Sequence, residues 1–345
     1  LGALLGLLVR PSPGRAADPA PRLGAVTHAT VESSLATGGS RIRQFAFDGR
    51  EGTWFASQDA AAAGEHFTMR FERAVAIESF SVNADSSEKL ALEYSPDGET
   101  FVAEKPALAK AVRLRVTQPL EKPLVIREIA IRSVPSVAAF RYPVEFTLDV
   151  TDAPEMKPWG EKAIRVCERN YSMICEELAS DGYDPPTRIP MRLRTDYKGV
   201  AEVSGGRITG SVSYFKSHPD DIGAMVHETA HCVQGYRARG LPSWLVEGIA
   251  DHVRFWKYEP GKAGRLQPER ARYDGSYRTT AAFLAFVSEK YDAKAVNKLN
   301  AMLRTNTYDA TAWKTLTGKS VEELNQEWRQ SLAKGGESCW IVARG

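Results

Sequence analysis

Alternating apolar and polar residues mark the first third of the chain, most clearly at residues 67–71. Such alternation places every second side chain on one face, which is typical of a strand with one buried side. Turn residues such as those at 96–98 separate the alternating runs, and almost no helical period interrupts them. The pattern therefore predicts a β-sandwich over residues 30–134. The other alternating runs are residues 91–94, 112–116 and 126–131.

The pattern changes to a helical period after a joint between domains at residues 135–143. Residues 158–180 repeat apolar side chains every three or four positions, which predicts an amphipathic helix. A few strands followed by many helices indicate an α+β domain over residues 140–345. Its predicted strands are residues 144–150, 189–194 and 207–214. Its other predicted helices are residues 220–236, 244–256, 277–290, 293–303 and 320–333, the last of which opens with a capping box at Ser320 and Glu323.

The N-terminal residues follow neither pattern. Residues 1–9 are wholly apolar, and the small residues Ala16 and Ala17 follow them as in a signal cleavage region. We predict a signal peptide at 1–17 whose basic start is missing, a Pro/Ala-rich linker at 18–29, and a secreted, extracytoplasmic protein. A disordered apolar leader is the alternative. The apolar run is too short to span a bilayer, so no membrane span is predicted.

Composition and charge narrow the classes of function. The 345 residues are 43% hydrophobic and 26% charged, which is the balance of a folded globular protein. A net charge of +2 provides no field that would attract nucleic acid, so no nucleic-acid partner is expected. Cys167 and Cys175 lie on one predicted helix, too far apart to form a disulfide. A bond between Cys232 and Cys339 stays open, with buried free thiols as the alternative.

The sequence His227-Glu-Thr-Ala-His231 is an HExxH motif within the predicted helix 220–236. Positions four apart lie on the same face of a helix, so both imidazoles can bind one Zn²⁺. Glu228 lies one step round the helix, where its carboxylate can reach a zinc-bound water rather than the metal. The alternative is a surface helix with two solvated histidines and a glutamate in a salt bridge.

A catalytic zinc site needs a third protein ligand and leaves one position open. The metzincin pattern requires Gly and His where this chain has Gln234 and Arg237, which excludes that class. The next predicted helix offers Glu247, and a Gly-Leu-Pro turn between the two helices allows them to converge. Asp251 lies on the same face as Glu247 and can accept the second ring N–H of a ligating histidine. The alternative is that Glu247 faces water.

The HExxH motif followed by Trp244-Leu-Val-Glu-Gly-Ile-Ala-Asp251 resembles the plant-type basic secretory protein family of metallopeptidases. The pairing of HExxH with ExxxD is similar to the wider gluzincin class. The resemblance covers residues 144–334 and implies a zincin-like fold, Zn²⁺ as the cofactor and a peptide or protein substrate. The residues to which it assigns roles are the zinc ligands His227, His231 and Glu247 and the general base Glu228.

The first domain resembles a discoidin, or coagulation-factor C-type, domain. The resemblance rests on the Phe-Asp-Gly-Arg-Glu-Gly-Thr-Trp sequence at 47–54 and on the alternating runs at 67–71 and 112–116. It implies an all-β jelly-roll sandwich of the galactose-binding type, which often binds sugars or cell surfaces through its loops. Trp54 is therefore a candidate for stacking on a glycan. A tryptophan packed in the core is the favoured interpretation of Trp54.

Peptide hydrolysis also requires a donor for the developing oxyanion. Tyr277 ranks first because it opens a helix after the flexible Gly275, and Tyr273 and His252 are the other candidates. The strand at 207–214 can pair with an extended peptide by strand addition.

The sequence thus predicts a secreted zinc metallopeptidase with a β-sandwich that binds carbohydrate or a cell surface. One alternative is a non-catalytic carbohydrate- or surface-binding protein with an inert zincin domain. Another is a structural zinc site, which normally uses four His or Cys ligands. Cys232 is the only thiol near the motif, and it points away from the metal face because it directly follows His231.

Overall fold

The computed structural model describes residues 26–334, which form a sandwich of strands followed by a mixed sheet with helices. The predicted signal peptide at 1–17 and the thiol of Cys339 lie outside the described residues. No helix in the described range is both long and apolar enough to cross a membrane. Within this range, Cys167, Cys175 and Cys232 are buried free thiols.

The first domain is a sandwich whose two layers share one long strand. Its strands are β1 (Val26–Thr27), β2 (Ala29–Ser33), β3 (Phe55–Ala60), β4 (His66–Ala84), β5 (Leu90–Ser95), β6 (Ala109–Val116), β7 (Pro123–Val134) and β8 (Ser136–Val137). The order is β3-β7-β4-β6-β5, with β2 also beside β4. The first part of β4 pairs with β2 and β6, and its second part pairs with β7. The predicted β-sandwich is confirmed.

Strand β4 is much longer than the run at 67–71 from which it was predicted. Its 19 residues include a register shift between Arg70 and Val75, where the strand leaves one layer and enters the other. The irregularity breaks the alternation of apolar and polar residues, so the sequence pattern shows only the first part. Phe55 and Phe67, at most 1% exposed, face each other in the core between the layers.

The chain enters the sandwich earlier than the predicted linker at 18–29 allows. Strand β1 pairs in parallel with β8, and Ala29 of β2 lies opposite Phe71 of β4. Thr27 and Ala29 are 1% and 2% exposed, so the last residues of the predicted linker belong to the folded domain. Both partner strands are distant in sequence, and the composition of the segment therefore did not indicate the pairing.

The second domain contains a four-stranded sheet in the order β11-β12-β10-β9. Strands β9, β10 and β12 are parallel, and the edge strand β11 is antiparallel to β12. The bounds are β9 (Glu145–Asp149), β10 (Arg188–Arg194), β11 (Ala201–Ser204) and β12 (Arg207–Ser211). The predicted strand at 207–214 stops at Ser211, because the Ser211 hydroxyl accepts a hydrogen bond from Tyr214 N and caps a helix.

Helices pack beside this sheet and complete a separate apolar core. Their bounds are α1 (Lys157–Glu177), α2 (Val212–Ser217), α3 (Gly223–Gln234), α4 (Ser243–His252), α5 (Tyr277–Lys290), α6 (Ala295–Thr305), α7 (Ala312–Thr317) and α8 (Val321–Lys334). Helix α1 buries Ala163, Cys167, Tyr171 and Ile174, as its apolar spacing predicts. The predicted helix at 244–256 is regular only to His252 and continues as a π-helix over Val253–Tyr258.

A buried polar cluster joins the two domains. Glu145 Oε2 accepts hydrogen bonds from Thr37 Oγ1 at 2.8 Å and from Arg43 N at 3.1 Å. Glu168 Oε1 accepts from Phe146 N at 3.0 Å and from the Arg43 guanidinium at 3.3 Å. The two glutamates are 5% and 4% exposed, and burial raises the pKa of Glu168 even with arginines beside it. The first domain therefore supplies partners to two buried carboxylates of the second.

Candidate metal centre

Helix α3 carries the two histidines of the HExxH motif on one face. The rings of His227 and His231 cross at 82° with their centroids 4.7 Å apart, and their Nε2 atoms are 3.0 Å apart. The same helix buries Met225 and Val226 completely in the core, which fixes its orientation. Both imidazoles are therefore presented to the same point, as the spacing of four predicts.

Helix α4 brings a carboxylate to this point. Glu247 Oε2 lies 3.3 Å from Nε2 of His227 and 3.3 Å from Nε2 of His231. Leu245 and Ile249, both fully buried, anchor the helix in the core and leave Glu247 on the side that meets α3. These three residues form the group of potential metal ligands within the described range, and the group contains no thiol. The three predicted ligands thus lie together.

The second nitrogen of each imidazole has an acceptor of its own. His227 Nδ1 lies 2.7 Å from Asp251 Oδ1, and His231 Nδ1 lies 2.7 Å from Gln234 Oε1. In a neutral imidazole, an Nδ1–H donated in this way leaves the Nε2 lone pair free. Two lone pairs and one carboxylate oxygen then converge at 3.0–3.3 Å. A tetrahedral cation fits this set, since bonds of about 2.0–2.1 Å separate neighbouring ligand atoms by roughly 3.3 Å.

The electrostatics of the site favour positive charge. Burial opposes ionisation of Glu247, but hydrogen bonds with the two histidines outweigh burial and lower its pKa to about 2. Burial likewise opposes charge on His227, but hydrogen bonds to Asp251 and Glu247 raise its pKa to about 9. Whether the positive charge is a proton or a metal cation, these carboxylates stabilise it between the ligand atoms.

Glu228 lies beside the ligands without belonging to the ligand group. Its side chain is in the wall of the same cleft, and the residue is 7% exposed. Burial raises the pKa of its carboxyl above the ordinary value. A carboxylate in this position can exchange protons with a water molecule near the three ligand atoms.

The cleft over the site has a volume of about 1200 Å³. One wall is the edge strand β11, and the floor is formed by the ligand-bearing faces of α3 and α4. The structure thereby corrects the predicted strand for peptide pairing: β12, at 207–211, lies between β11 and β10 and has no free edge. Strand β11, which the sequence did not predict, is the strand with an unpaired side along the cleft. Its four residues lie next to the turn at Gly205 and Gly206.

Comparison with known families agrees with this geometry. Residues 161–328 match the family described as BSP, "Peptidase of plants and bacteria". The second domain is similar to the BSP peptidases. The match confirms the resemblance to the basic secretory protein family, and the ligands and Glu228 all lie within it. No curated protein matches the chain.

The first domain has counterparts among solved structures. One is CBM32-1 from a family 31 glycoside hydrolase of Clostridium perfringens, with 21% identity and a TM-score of 0.26, over 30% of this chain and 92% of that one. Another is the family 32 CBM of C. perfringens NanJ in complex with galactose, with 16% identity and a TM-score of 0.24, over 30% of this chain and 92% of that one. A third is chitosan-binding module 1 from a Paenibacillus sp. IK-5 chitosanase/glucanase, with 16% identity and a TM-score of 0.25, over 30% of this chain and 93% of that one.

Among the candidate oxyanion donors of the BSP-like domain, Tyr277 lies in the cleft. Its ring centroid is 6.2 Å from that of His227, and the side chain is 56% exposed. The Glu247 carboxylate and then burial raise the pKa of the Tyr277 phenol. Tyr277 and the preceding Ser276 have φ of +46° and +62°, so an uncommon backbone turn places this side chain at the start of α5.

The other two candidate donors lie elsewhere in the BSP-like domain. Tyr273 packs edge-on against Trp244, with the ring centroids 5.2 Å apart. His252 is 3% exposed, and its Nε2 lies 3.4 Å from Glu177 Oε1. Neither lines the cleft.

Trp54 of the first domain is half-buried, and the Arg41 guanidinium lies 3.5 Å from the centroid of its ring. Arg41 therefore covers one face of the indole. Glycan binding through Trp54 stays a prediction.

Gln234 is the residue of the BSP-like domain whose contribution the sequence did not indicate. In the sequence its identity only excludes a metzincin, yet in the structure it contacts His231 directly. The spacing of three residues between His231 and Gln234 places both on one helix face, which is the signal that could have identified it.

Proposed function

We propose that the chain is a secreted zinc-dependent peptidase that hydrolyses peptide bonds in the cleft of its second domain. The observation that carries the proposal is the convergence of His227, His231 and Glu247 at 3.0–3.3 Å beside the buried Glu228. Two imidazoles and one carboxylate are a ligand set typical of catalytic zinc. Bound there, Zn²⁺ would polarise the scissile carbonyl and lower the pKa of water. Secretion rests on the apolar and small residues at 1–17.

Glu228 acts in this proposal as the general base and then as the general acid. Its carboxylate takes a proton from the attacking water and delivers it to the nitrogen of the leaving amine. Glu228 is only 7% exposed, so little competing solvent reaches its carboxyl group. Asp251 accepts the Nδ1–H of His227 and holds that imidazole in the orientation that the ligand set requires.

The substrate binds in extended form along β11. The free backbone groups of this edge strand can pair with a peptide backbone, which brings one peptide bond over the ligand atoms. Because backbone pairing does not depend on sequence, it supports a range of peptide substrates. Side chains of the substrate then meet the walls of the cleft.

Tyr277 donates a hydrogen bond to the oxyanion that develops on the scissile carbonyl. Tyr277→Phe is expected to lower kcat by about 10-fold with little change in KM, less than a buried oxyanion donor gives, because the side chain is mostly exposed. Steady-state kinetics on a fluorogenic peptide measure the effect. Tyr273→Phe, outside the cleft, serves as the control. Equal kcat for Tyr277→Phe and the unaltered protein would remove Tyr277 from the reaction.

A peptide-library digest tests the proposed function. The full chain, recovered from culture medium, is incubated with the library before and after a chelator, and again after Zn²⁺ is returned. We expect cleavage that the chelator abolishes and Zn²⁺ restores. Cleavage that persists in the metal-free protein, or a metal-loaded protein that cleaves nothing, contradicts the proposal. Retention of the protein inside the producing cells contradicts secretion.

A further inference from the structure

The side-chain amide of Gln234 bridges the two helices that carry the ligands. Gln234 is 1% exposed and is the last residue of α3. Its Oε1 lies 2.7 Å from Nδ1 of His231, and its Nε2 donates to the carbonyl oxygen of Val246 at 2.9 Å. Val246 immediately precedes Glu247 on α4. One buried amide thus contacts both the second histidine and the backbone beside the third ligand.

The orientation of this amide follows from its partners. A carbonyl oxygen only accepts hydrogen bonds, so the amide NH₂ must face Val246 and the amide oxygen must face His231. The amide oxygen in turn requires a donor, and Nδ1 of His231 must therefore carry the proton. In the neutral ring, this leaves the lone pair on Nε2, which is the atom 3.3 Å from Glu247 Oε2. Gln234 accordingly selects the tautomer that binds a cation.

The backbone of Gln234 is fixed as firmly as its side chain. Arg304 on α6 donates to the carbonyl oxygens of Gln234 and Val233, each at 3.0 Å. The helix then ends at Gly235, whose φ is +57° and where a Cβ would lie 2.4 Å from the Tyr183 hydroxyl. Arginine at this helix end also complements the negative end of the helix dipole. The amide is therefore held in place before any metal binds.

Helix α4 helps to position all three ligands. It supplies Glu247 itself, the Asp251 carboxylate that receives His227, and the Val246 carbonyl that holds Gln234 against His231. Without the amide, Nδ1 of His231 would lose its connection to α4, while Nδ1 of His227 would keep its own through Asp251. We infer that Gln234 is a positioning residue: it sets the tautomer of His231 and ties this ligand to the helix that carries Glu247. The inference rests on the metal site of the proposed function.

Metal affinity of the full chain tests the role of Gln234. Gln234→Met keeps the length of the side chain but removes both hydrogen bonds, and loss of such a partner weakens metal binding by about 10–100-fold. Gln234→Glu keeps an acceptor for His231 and should recover most of that affinity. The measurement is competition between the protein and a chelator for Zn²⁺, with the visible absorption spectrum of the Co²⁺-loaded protein as a readout of ligand geometry, which we expect to change in Gln234→Met.

A matched control separates positioning from simple loss of stability. Asn300 is also a fully buried amide with two hydrogen bonds, to the Tyr236 hydroxyl and the Leu178 carbonyl, but it contacts no ligand. Asn300→Leu should lower the melting temperature of the metal-free protein and leave Zn²⁺ affinity unchanged. Unchanged affinity in Gln234→Met, or an equal loss in Asn300→Leu, overturns the inference.

Two further results bear on separate parts of the inference. Affinity of Gln234→Glu as low as that of Gln234→Met overturns the acceptor role toward His231. If the unaltered chain binds Zn²⁺ but cleaves no peptide, the proposed function fails while the role of Gln234 in the metal site stands.

Discussion

Replacing Glu228 by glutamine should lower kcat for peptide cleavage by about 10²- to 10⁴-fold, the range that a positioned general acid–base supplies. Glutamine has nearly the same shape but cannot take up the proton of the attacking water. Because Glu228 lies beside the ligand group and is not part of it, the variant should retain the same amount of Zn²⁺. Initial rates on a fluorogenic peptide, together with metal analysis of the same samples, provide the measurement.

Glu161→Gln is the control for this experiment. Glu161 lies exposed on α1 and pairs with Lys157 at 3.8 Å, so removal of its charge should leave both rate and metal content unchanged. A Glu228→Gln variant that contains metal and cleaves at the full rate would exclude Glu228 as the base. A variant that loses its metal would show that the carboxylate contributes to binding instead.

Replacing Arg43 by alanine should lower the free energy of unfolding by roughly 3–5 kcal/mol, which is the cost of removing one partner of a buried ion pair. The Arg43 side chain is 12% exposed and lies between Glu145 and Glu168, whose side chains are 6% and 2% exposed. Without the guanidinium, two neighbouring carboxylates remain buried with less compensation. Chemical denaturation followed by circular dichroism measures the change.

Arg132→Ala provides the corresponding surface control. Arg132 is 81% exposed and lies 3.5 Å from Glu78, a pair worth at most about 1 kcal/mol. If Arg43→Ala destabilises no more than Arg132→Ala, the buried cluster does not hold the domains together. The expected result would mean that the sandwich stabilises the peptidase-like domain directly.

The candidate metal site could be predicted to the extent that it depends on local helix geometry. The motif places His227 and His231 four residues apart on α3, and this spacing alone brings their rings together. Glu247 required one more step, the convergence of two helices across a short turn, which the structure also has. Asp251 follows from the same helix period. In each case the relevant neighbours are close in sequence, so periodicity carries the information.

The contacts that could not be predicted join residues that are distant in sequence or depend on side-chain orientation. Strand β4 continues past its first alternating run. This continuation could not be predicted, because a bulge shifts the register and interrupts the alternation of apolar and polar residues. Arg43 meets Glu168 across the domain boundary, 125 positions away, and no period links the two. The bridge made by Gln234 depends on which way one amide faces, and only its partners decide that.

Pairing of the substrate with the short edge strand β11, as proposed above, would limit which parts of a protein can be cut. A backbone that already uses its N–H and C=O groups within a helix or a sheet has none left to offer the strand. A folded target would first have to open locally, and the free energy of that opening would be added to the barrier to cleavage. Such a peptidase would thus select its substrates by their conformation before their amino-acid sequence. It would cut frayed termini and loosened loops and spare intact secondary structure.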